Sequence, residues 1–243
     1  MILECDIGNT RCKWRLVGPN GILRRGAFEC ANGFGNLDLS GEISRVRVSS
    51  VAADAVNEQL VQHLAGNGLI PEFASSTRFA AGVKNSYKDA GRLGVDRWVA
   101  MVAAHNRCRR AVLVLDAGSA LTADLISQDG EHVGGYILPG IRLMKASLLA
   151  ETGRVRFGNT DEDCSIAFGV DTGSAVSAGV IAAQVGAALV ALEQSGRQIA
   201  TDFAILITGG DAGVIAENLP DRYLAEVTVV PELVLDGLQW VLP

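Results

Sequence analysis

Short apolar runs punctuated by glycine set the rhythm of this chain. Residues Ile2 to Asp6 are apolar and short, Gly8-Asn9 is a turn signal, and Lys13 to Val17 resumes an extended pattern. The opening therefore predicts strand, tight turn and strand, with a third strand over Ile22 to Glu29. Arg45 to Val51 alternates as a half-buried strand does. A helix follows to about Ala65, capped by Asp54 or Asn57 and stopped by Gly66, and Pro71 to Ala74 is a short strand. Residues Ala80 to Gly94 are polar and without period, which predicts a long loop of the kind that carries function. Asp96 then opens a helix with Trp98, Val99 and Val102 on its apolar stripe.

The second half begins as the first does. Ala111 to Leu115 reads as a buried strand, Asp116-Ala117-Gly118-Ser119 as its turn, and the chain returns in a strand through Leu125. A third strand is expected over His132 to Leu138, helices near 141–150 and 172–194, and a strand over Phe203 to Ile207. That last strand runs into Thr208-Gly209-Gly210-Asp211 and a helix to about Asn218, before a strand near Val227 to Val230 and a helix near 231–241. One unit thus occurs twice: an apolar strand ending in Asp-x-Gly-[Asn/Ser], a turn, and a return strand. Repetition at half the chain length predicts an α/β fold of two like-folded lobes with a cleft between them, divided near residue 110.

Composition narrows the class. With 243 residues, 49% of them hydrophobic, the chain can bury a real core. A net charge of −6 with no basic run argues against nucleic-acid binding, so any phosphate must be held by local groups. The start carries Glu4 and Asp6 and lacks a basic segment, unlike a signal peptide. The five cysteines (Cys5, Cys12, Cys30, Cys108, Cys164) include no C-x-x-C pair, which fits reduced thiols in the cytoplasm. Scattered histidines (His63, His105, His132) make zinc an unlikely cofactor by spacing. The uncharged stretch from Ala175 to Leu192 approaches membrane-span length. Its Ala, Gly and Val content, without aromatic belt or basic flanks, reads instead as a helix buried in the fold or between subunits.

The paired hairpins carry chemistry. A tight turn after a strand leaves several backbone N–H groups pointing one way, a concavity that suits anions. Gly8 and Gly118 let the backbone approach a phosphate, and Asn9, Thr10 and Ser119 add neutral donors. Asp6 and Asp116 would repel a phosphate unless a cation lies between, so the motif calls for Mg²⁺, held by Asp6 directly or through water, and for a monovalent ion. Lys13 on the return strand can reach back toward phosphates. Each turn alone is equally well a simple hairpin; two copies after buried strands favour function. Gly94-Val95-Asp96-Arg97 reads either as a helix cap with a surface pair or as a site, in which Asp96 accepts a hydroxyl proton and Arg97 grips a carboxylate.

Taken in order, Asp6-Ile7-Gly8-Asn9-Thr10, Asn85-Ser86-Tyr87, Gly94-Val95-Asp96-Arg97, Asp116-Ala117-Gly118-Ser119-Ala120, Gly134-Gly135-Tyr136-Ile137-Leu138-Pro139-Gly140 and Thr208-Gly209-Gly210-Asp211 resemble the type III pantothenate kinases. The resemblance implies two ribonuclease H-like lobes of the actin/sugar kinase type, and ATP-dependent conversion of pantothenate to 4′-phosphopantothenate at the start of coenzyme A synthesis. It implies ATP contacts from Asp6, Ile7, Gly8, Asn9, Thr10, Arg11, Cys12, Lys13 and Ser119, with Asp96 as proton acceptor. Pantothenate would be lined by Tyr87, Gly94, Val95, Asp96, Arg97 and Thr172, the last in a site completed across a homodimer. Asp116 would hold K⁺ or NH₄⁺, with Asp124 as a further support or a plain strand-end carboxylate. Lobe 1–110 would then carry the first phosphate hairpin, the base and the pantothenate pocket. Lobe 111–243 would carry the second hairpin, an adenosine segment and the dimer helix. Ser119 stands where the family usually has threonine, and the segment after Thr172 lacks an acidic residue expected before its last glycine. The alternatives are a kinase of another hydroxylated metabolite, or a non-catalytic ATP-binding regulatory protein.

Overall fold

A computed structural model describes residues 1–152, 165–199 and 201–243; Cys164 lies outside these. The chain divides into two compact units, Met1–Arg107 with Leu233–Pro243, and Cys108–Glu232. The expected boundary near 110 differs from this at the C-terminus, where the last helix packs with the first unit.

The first unit is built on strands β1 (Ile2–Ile7), β2 (Arg11–Gly18), β3 (Gly21–Glu29) and β4 (Arg45–Ser50), helix α1 (Asp54–Ala65), strand β5 (Pro71–Phe73), the two-residue strands β6 (Phe79–Ala80) and β7 (Val83–Lys84), and helix α2 (Val95–Cys108). The second holds β8 (Val112–Ala117), β9 (Ala120–Ile126), β10 (His132–Pro139), α3 (Ile141–Glu151), α4 (Thr172–Gln198), β11 (Ala204–Thr208), α5 (Ala212–Asn218), α6 (Asp221–Leu224) and β12 (Val227–Val229). Helix α7 (Leu233–Val241) returns to the first unit.

The repeat read in the sequence is a repeat of topology. The first sheet runs β3-β2-β1-β4-β5 and the second β10-β9-β8-β11-β12. In both, an antiparallel hairpin-linked trio continues into two parallel strands. Strand alternation then sorts the side chains. On one face of the first sheet Leu3, Cys5, Ile7, Cys12, Leu16, Val46 and Val48 form a core with Leu60 and Leu64 of α1. Burying each of those leucines stabilises by about 1.5–3 kcal/mol. The other face is charged: Arg15 Nε donates to Glu4 Oε2 at 2.7 Å and Arg47 Nη1 to Glu4 Oε1 at 3.2 Å. Arg15 Nη1 donates to Asp236 Oδ1 at 2.6 Å, which ties α7 to the sheet. Gly237 is required there, because a Cβ would sit 2.2 Å from the Val99 carbonyl of α2.

In the second unit, Leu113, Leu115, Leu121, Ala123 and Leu125 face Ile181, Val185, Ala188 and Leu192 of α4. Helix α4 is long and apolar enough to cross a membrane by length and composition. Its packing against this sheet accounts for much of that character. Asp171 caps it with a reciprocal Ser174 bond.

Candidate functional site

In the first unit the β1–β2 connection brings the first hairpin together. Gly8 N–H donates to the Arg11 carbonyl at 3.0 Å, closing the turn. Asp6 is paired in register with Lys13 on one side and Ser49 on the other, so all three project from one sheet face. Ile7 and Cys12 are fully buried, which leaves only their backbone available to a ligand. A hydrogen bond to Cys5 and then burial push the Cys12 thiol far above its ordinary range, so it stays protonated and inert.

Two properties of this turn bear on cations and phosphates. At Gly8 a Cβ would meet protein only at 3.5 Å, and at the matching Gly118 only at 3.6 Å. Neither glycine has a positive φ. The fold itself thus tolerates a side chain at either position, and the open space suits something that docks from outside. Ser49, fully buried, has an Oγ without a hydrogen-bond partner among the described residues, next to Asp6 in register. One carboxylate with a neighbouring neutral oxygen fits Mg²⁺ carried on nucleotide phosphates, which keeps most of its own waters.

Farther along the first unit, the residues expected to line the substrate pocket converge near the start of α2. Gly94 accepts the first helical bond, from Trp98 N–H at 3.0 Å, and Asp96 Oδ1 accepts from Arg97 N–H at 2.7 Å. Arg97 is 7% exposed and its Nη1 donates to the Tyr87 hydroxyl at 3.0 Å, with the guanidinium 5.9 Å from that ring. Tyr87, Gly94, Val95, Asp96 and Arg97 are therefore one group. Asn85 and Arg78 hold it and were missed as site residues. Asn85, fully buried, accepts from Tyr87 N–H at 3.0 Å and donates to the Thr77 and Ala90 carbonyls. An isolated arginine in a polar stretch gives no signal; only its contacts reveal it.

In the second unit Asp116 is the last residue but one of β8, beside Thr122 and Thr208. Three glycine segments meet around it. Gly118 N–H donates to Ala120, Gly140 N–H to Ser119, and Asp211 N–H to the Ala117 carbonyl, at 2.9, 3.0 and 2.9 Å. Gly209, at φ 97°, would place a Cβ 2.2 Å from the Ala117 oxygen and 2.6 Å from Asp116 Oδ1. Gly140 would place one 2.2 Å from the Gly118 oxygen. These glycines are demanded by packing, unlike Gly118. A single carboxylate among backbone carbonyls is a donor set of low charge, which suits a monovalent cation. Among the described residues no group of three or more acidic, His or Cys side chains could cage a metal. Burial pushes the Asp211 carboxyl above its usual range, with Lys145 opposing. It makes no side-chain cap bond to α5.

Asp124 is mid-strand and not a strand-end group. It is buried in β9, and its Oδ1 lies 3.1 Å from His132 Nε2. Thr172 opens α4 and lines a groove with Met144 and Leu148 of α3.

Residues 2–193 match the family described as type III pantothenate kinase. A type III pantothenate kinase of Ectopseudomonas mendocina is 39% identical over 98% of this chain and 97% of its own length. One of Marinobacter nauticus is 40% identical, over 98% and 97%. This chain belongs to the type III pantothenate kinase family. Solved structures share its fold at lower identity. A Streptomyces griseus ROK family glucokinase, in complex with glucose and AMPPNP, aligns with TM-score 0.52 and 13% identity, covering 97% of each chain. A structure titled as a Baf family transcriptional activator, from Campylobacter jejuni, aligns at TM-score 0.58 and 24% identity, covering 98% of this chain and 95% of its own. The fold is thus the α/β architecture of the actin and sugar kinases, as the sequence implied. Within the family match lie both hairpins and the Tyr87–Arg97 group, while Thr208 to Asp211 fall after it.

Proposed function

We propose that this chain transfers the γ-phosphoryl group of ATP to the primary hydroxyl of pantothenate, the opening step of coenzyme A synthesis. The observation that carries the reading is the Asp96–Arg97–Tyr87 group at the start of α2. Pantothenate offers a carboxylate for the Arg97 guanidinium, a hydroxymethyl group for Asp96 and a gem-dimethyl group for the Tyr87 ring. Asp96 accepts the hydroxyl proton as the oxygen attacks phosphorus. Because phosphoryl transfer is loose, holding that oxygen in line matters as much as removing its proton.

In this reading residues Asp6 to Lys13 contact ATP, as does Ser119, with Lys13 reaching toward the terminal phosphates. Mg²⁺, when bound with the nucleotide, neutralises charge developing on the transferred group. Asp6 holds it directly or through water, and Asp116 holds K⁺ or NH₄⁺. The unit Met1–Arg107 with Leu233–Pro243 carries base and pocket, and Cys108–Glu232 the second hairpin and the Thr208–Asp211 segment. The working compartment is the cytoplasm.

The active form is proposed to be a homodimer. Ala175, Gly179, Ala182, Ala183 and Val190 present a small, uncharged, exposed face on α4, beside a groove shared with α3. Small residues let helices approach closely. Thr172 at the end of that groove is where a partner would complete a pocket. Light scattering on the purified chain is expected to give twice the monomer mass; a monomer at assay concentration contradicts this.

Steady-state ADP release tests the reaction. ATP with pantothenate is expected to give turnover, with 4′-phosphopantothenate as the second product. Turnover with glucose or glycerol but not pantothenate would move the enzyme to another hydroxylated substrate.

A further inference from the structure

We infer that Arg78 is a positioning residue for the substrate pocket, a clamp that holds the Tyr87 loop in its binding shape. The inference rests on the pantothenate reading of the Tyr87–Arg97 group. Arg78 Nη1 donates to the Asn85 carbonyl and to the Tyr87 carbonyl, each at 2.7 Å, and Nη2 donates to the Lys88 carbonyl at 2.8 Å. Asn85 N–H returns a bond to the Arg78 carbonyl at 3.0 Å. One guanidinium thereby gathers the carbonyls of residues 85, 87 and 88, backbone groups that no sheet or helix satisfies.

The chain of contact then runs into the pocket. With its backbone held at 85–88, the Tyr87 side chain projects to Arg97, and its hydroxyl accepts from Arg97 Nη1 at 3.0 Å. That bond fixes the guanidinium proposed to meet the substrate carboxylate. Arg78 touches neither substrate nor Asp96 in this scheme; it acts through Tyr87. A planar fork with several fixed donors is needed, because an ammonium is a point donor on a flexible stem and cannot span carbonyls in fixed directions.

Kinetics of Arg78→Ala and Arg78→Lys beside the wild type test this. In both variants KM for pantothenate is expected to rise roughly tenfold or more, as for other small misplacements of a binding group. KM for ATP is expected to stay unchanged. In a Tyr87→Phe background, Arg78→Ala should add little, since both changes act on one contact. Amide exchange at residues 85–88 should be faster in both variants, a readout that does not depend on the substrate. Wild-type KM in the alanine variant, full rescue by lysine, additive losses in the double variant or unchanged exchange would each overturn the clamp. Absence of pantothenate turnover in the wild type would instead count against the parent reading, and the exchange measurement would still judge the clamp.

Discussion

Asp96→Asn is expected to lower kcat by at least ~10² while leaving ATP affinity as it was. Asparagine has the same shape and keeps an oxygen to accept the Arg97 N–H bond, now 2.7 Å long. What it loses is the capacity to take a proton. The effect should therefore fall on kcat, with KM for pantothenate changed far less, the signature of an interaction needed only in the transition state. Steady-state kinetics with calorimetric ATP titration separate the two quantities. A variant with near-normal turnover would remove Asp96 from the role of base and leave it as a member of the helix's first turn.

Replacing K⁺ by Na⁺ is expected to cost at least ~10-fold in kcat/KM for ATP. A carboxylate about 4 Å from a phosphate charge repels it by roughly 4 kcal/mol at an effective dielectric near 20. Each ~1.4 kcal/mol is a factor of ten, so an uncompensated Asp116 would cost up to ~10³. In the proposed site a single carboxylate with neutral oxygens gives a donor set of low charge, for which ion radius separates K⁺ from Na⁺. Asp116→Asn should lower the maximal rate and also remove the difference between the two salts, because the repulsion that the ion offsets is gone. Full activity in sodium-only buffer would refute the monovalent site. Mg²⁺ is kept saturating throughout, so that only one cation varies.

Most of the fold could be read from the chain, since two signals agreed. Short apolar runs ended at glycine turns, and the same Asp-x-Gly unit occurred twice, giving two sheets with the same strand order. The stretch from Ala80 to Gly94 was harder. It holds a two-residue hairpin whose turn residues, Ala81 at φ 43° and Gly82 at φ 86°, adopt a left-handed geometry. Alanine at the first of these positions hides the usual Asn-Gly signal. Asn106 compensates from α2, donating to the Ala81 carbonyl at 2.8 Å.

The C-terminal helix was placed with the wrong half for another reason. Its return to the first unit depends on the Arg15–Asp236 pair and on Gly237 against Val99, contacts between residues far apart in the chain that no local pattern encodes. For the site, motif order singled out Asp96, Arg97 and Tyr87 as candidates, and the structure puts Arg97 in contact with the other two. Spacing could not show that Arg78 and Asn85 brace them, because backbone-directed hydrogen bonds leave no periodicity. The buried Asp124–His132 pair shows the converse, a carboxylate that looked available and is engaged within the sheet.

Binding of MgATP to Gly8→Ala and Gly118→Ala tests most directly the idea that each hairpin is a phosphate-binding turn. Each new methyl group meets protein only at 3.5 Å or beyond, so both variants should melt close to the wild-type temperature. A methyl forced into a close phosphate contact costs about 1–3 kcal/mol, which predicts a loss of affinity of roughly fivefold to a hundredfold for each by calorimetry. Wild-type affinity in either variant would contradict the account, for it would leave that turn an ordinary hairpin.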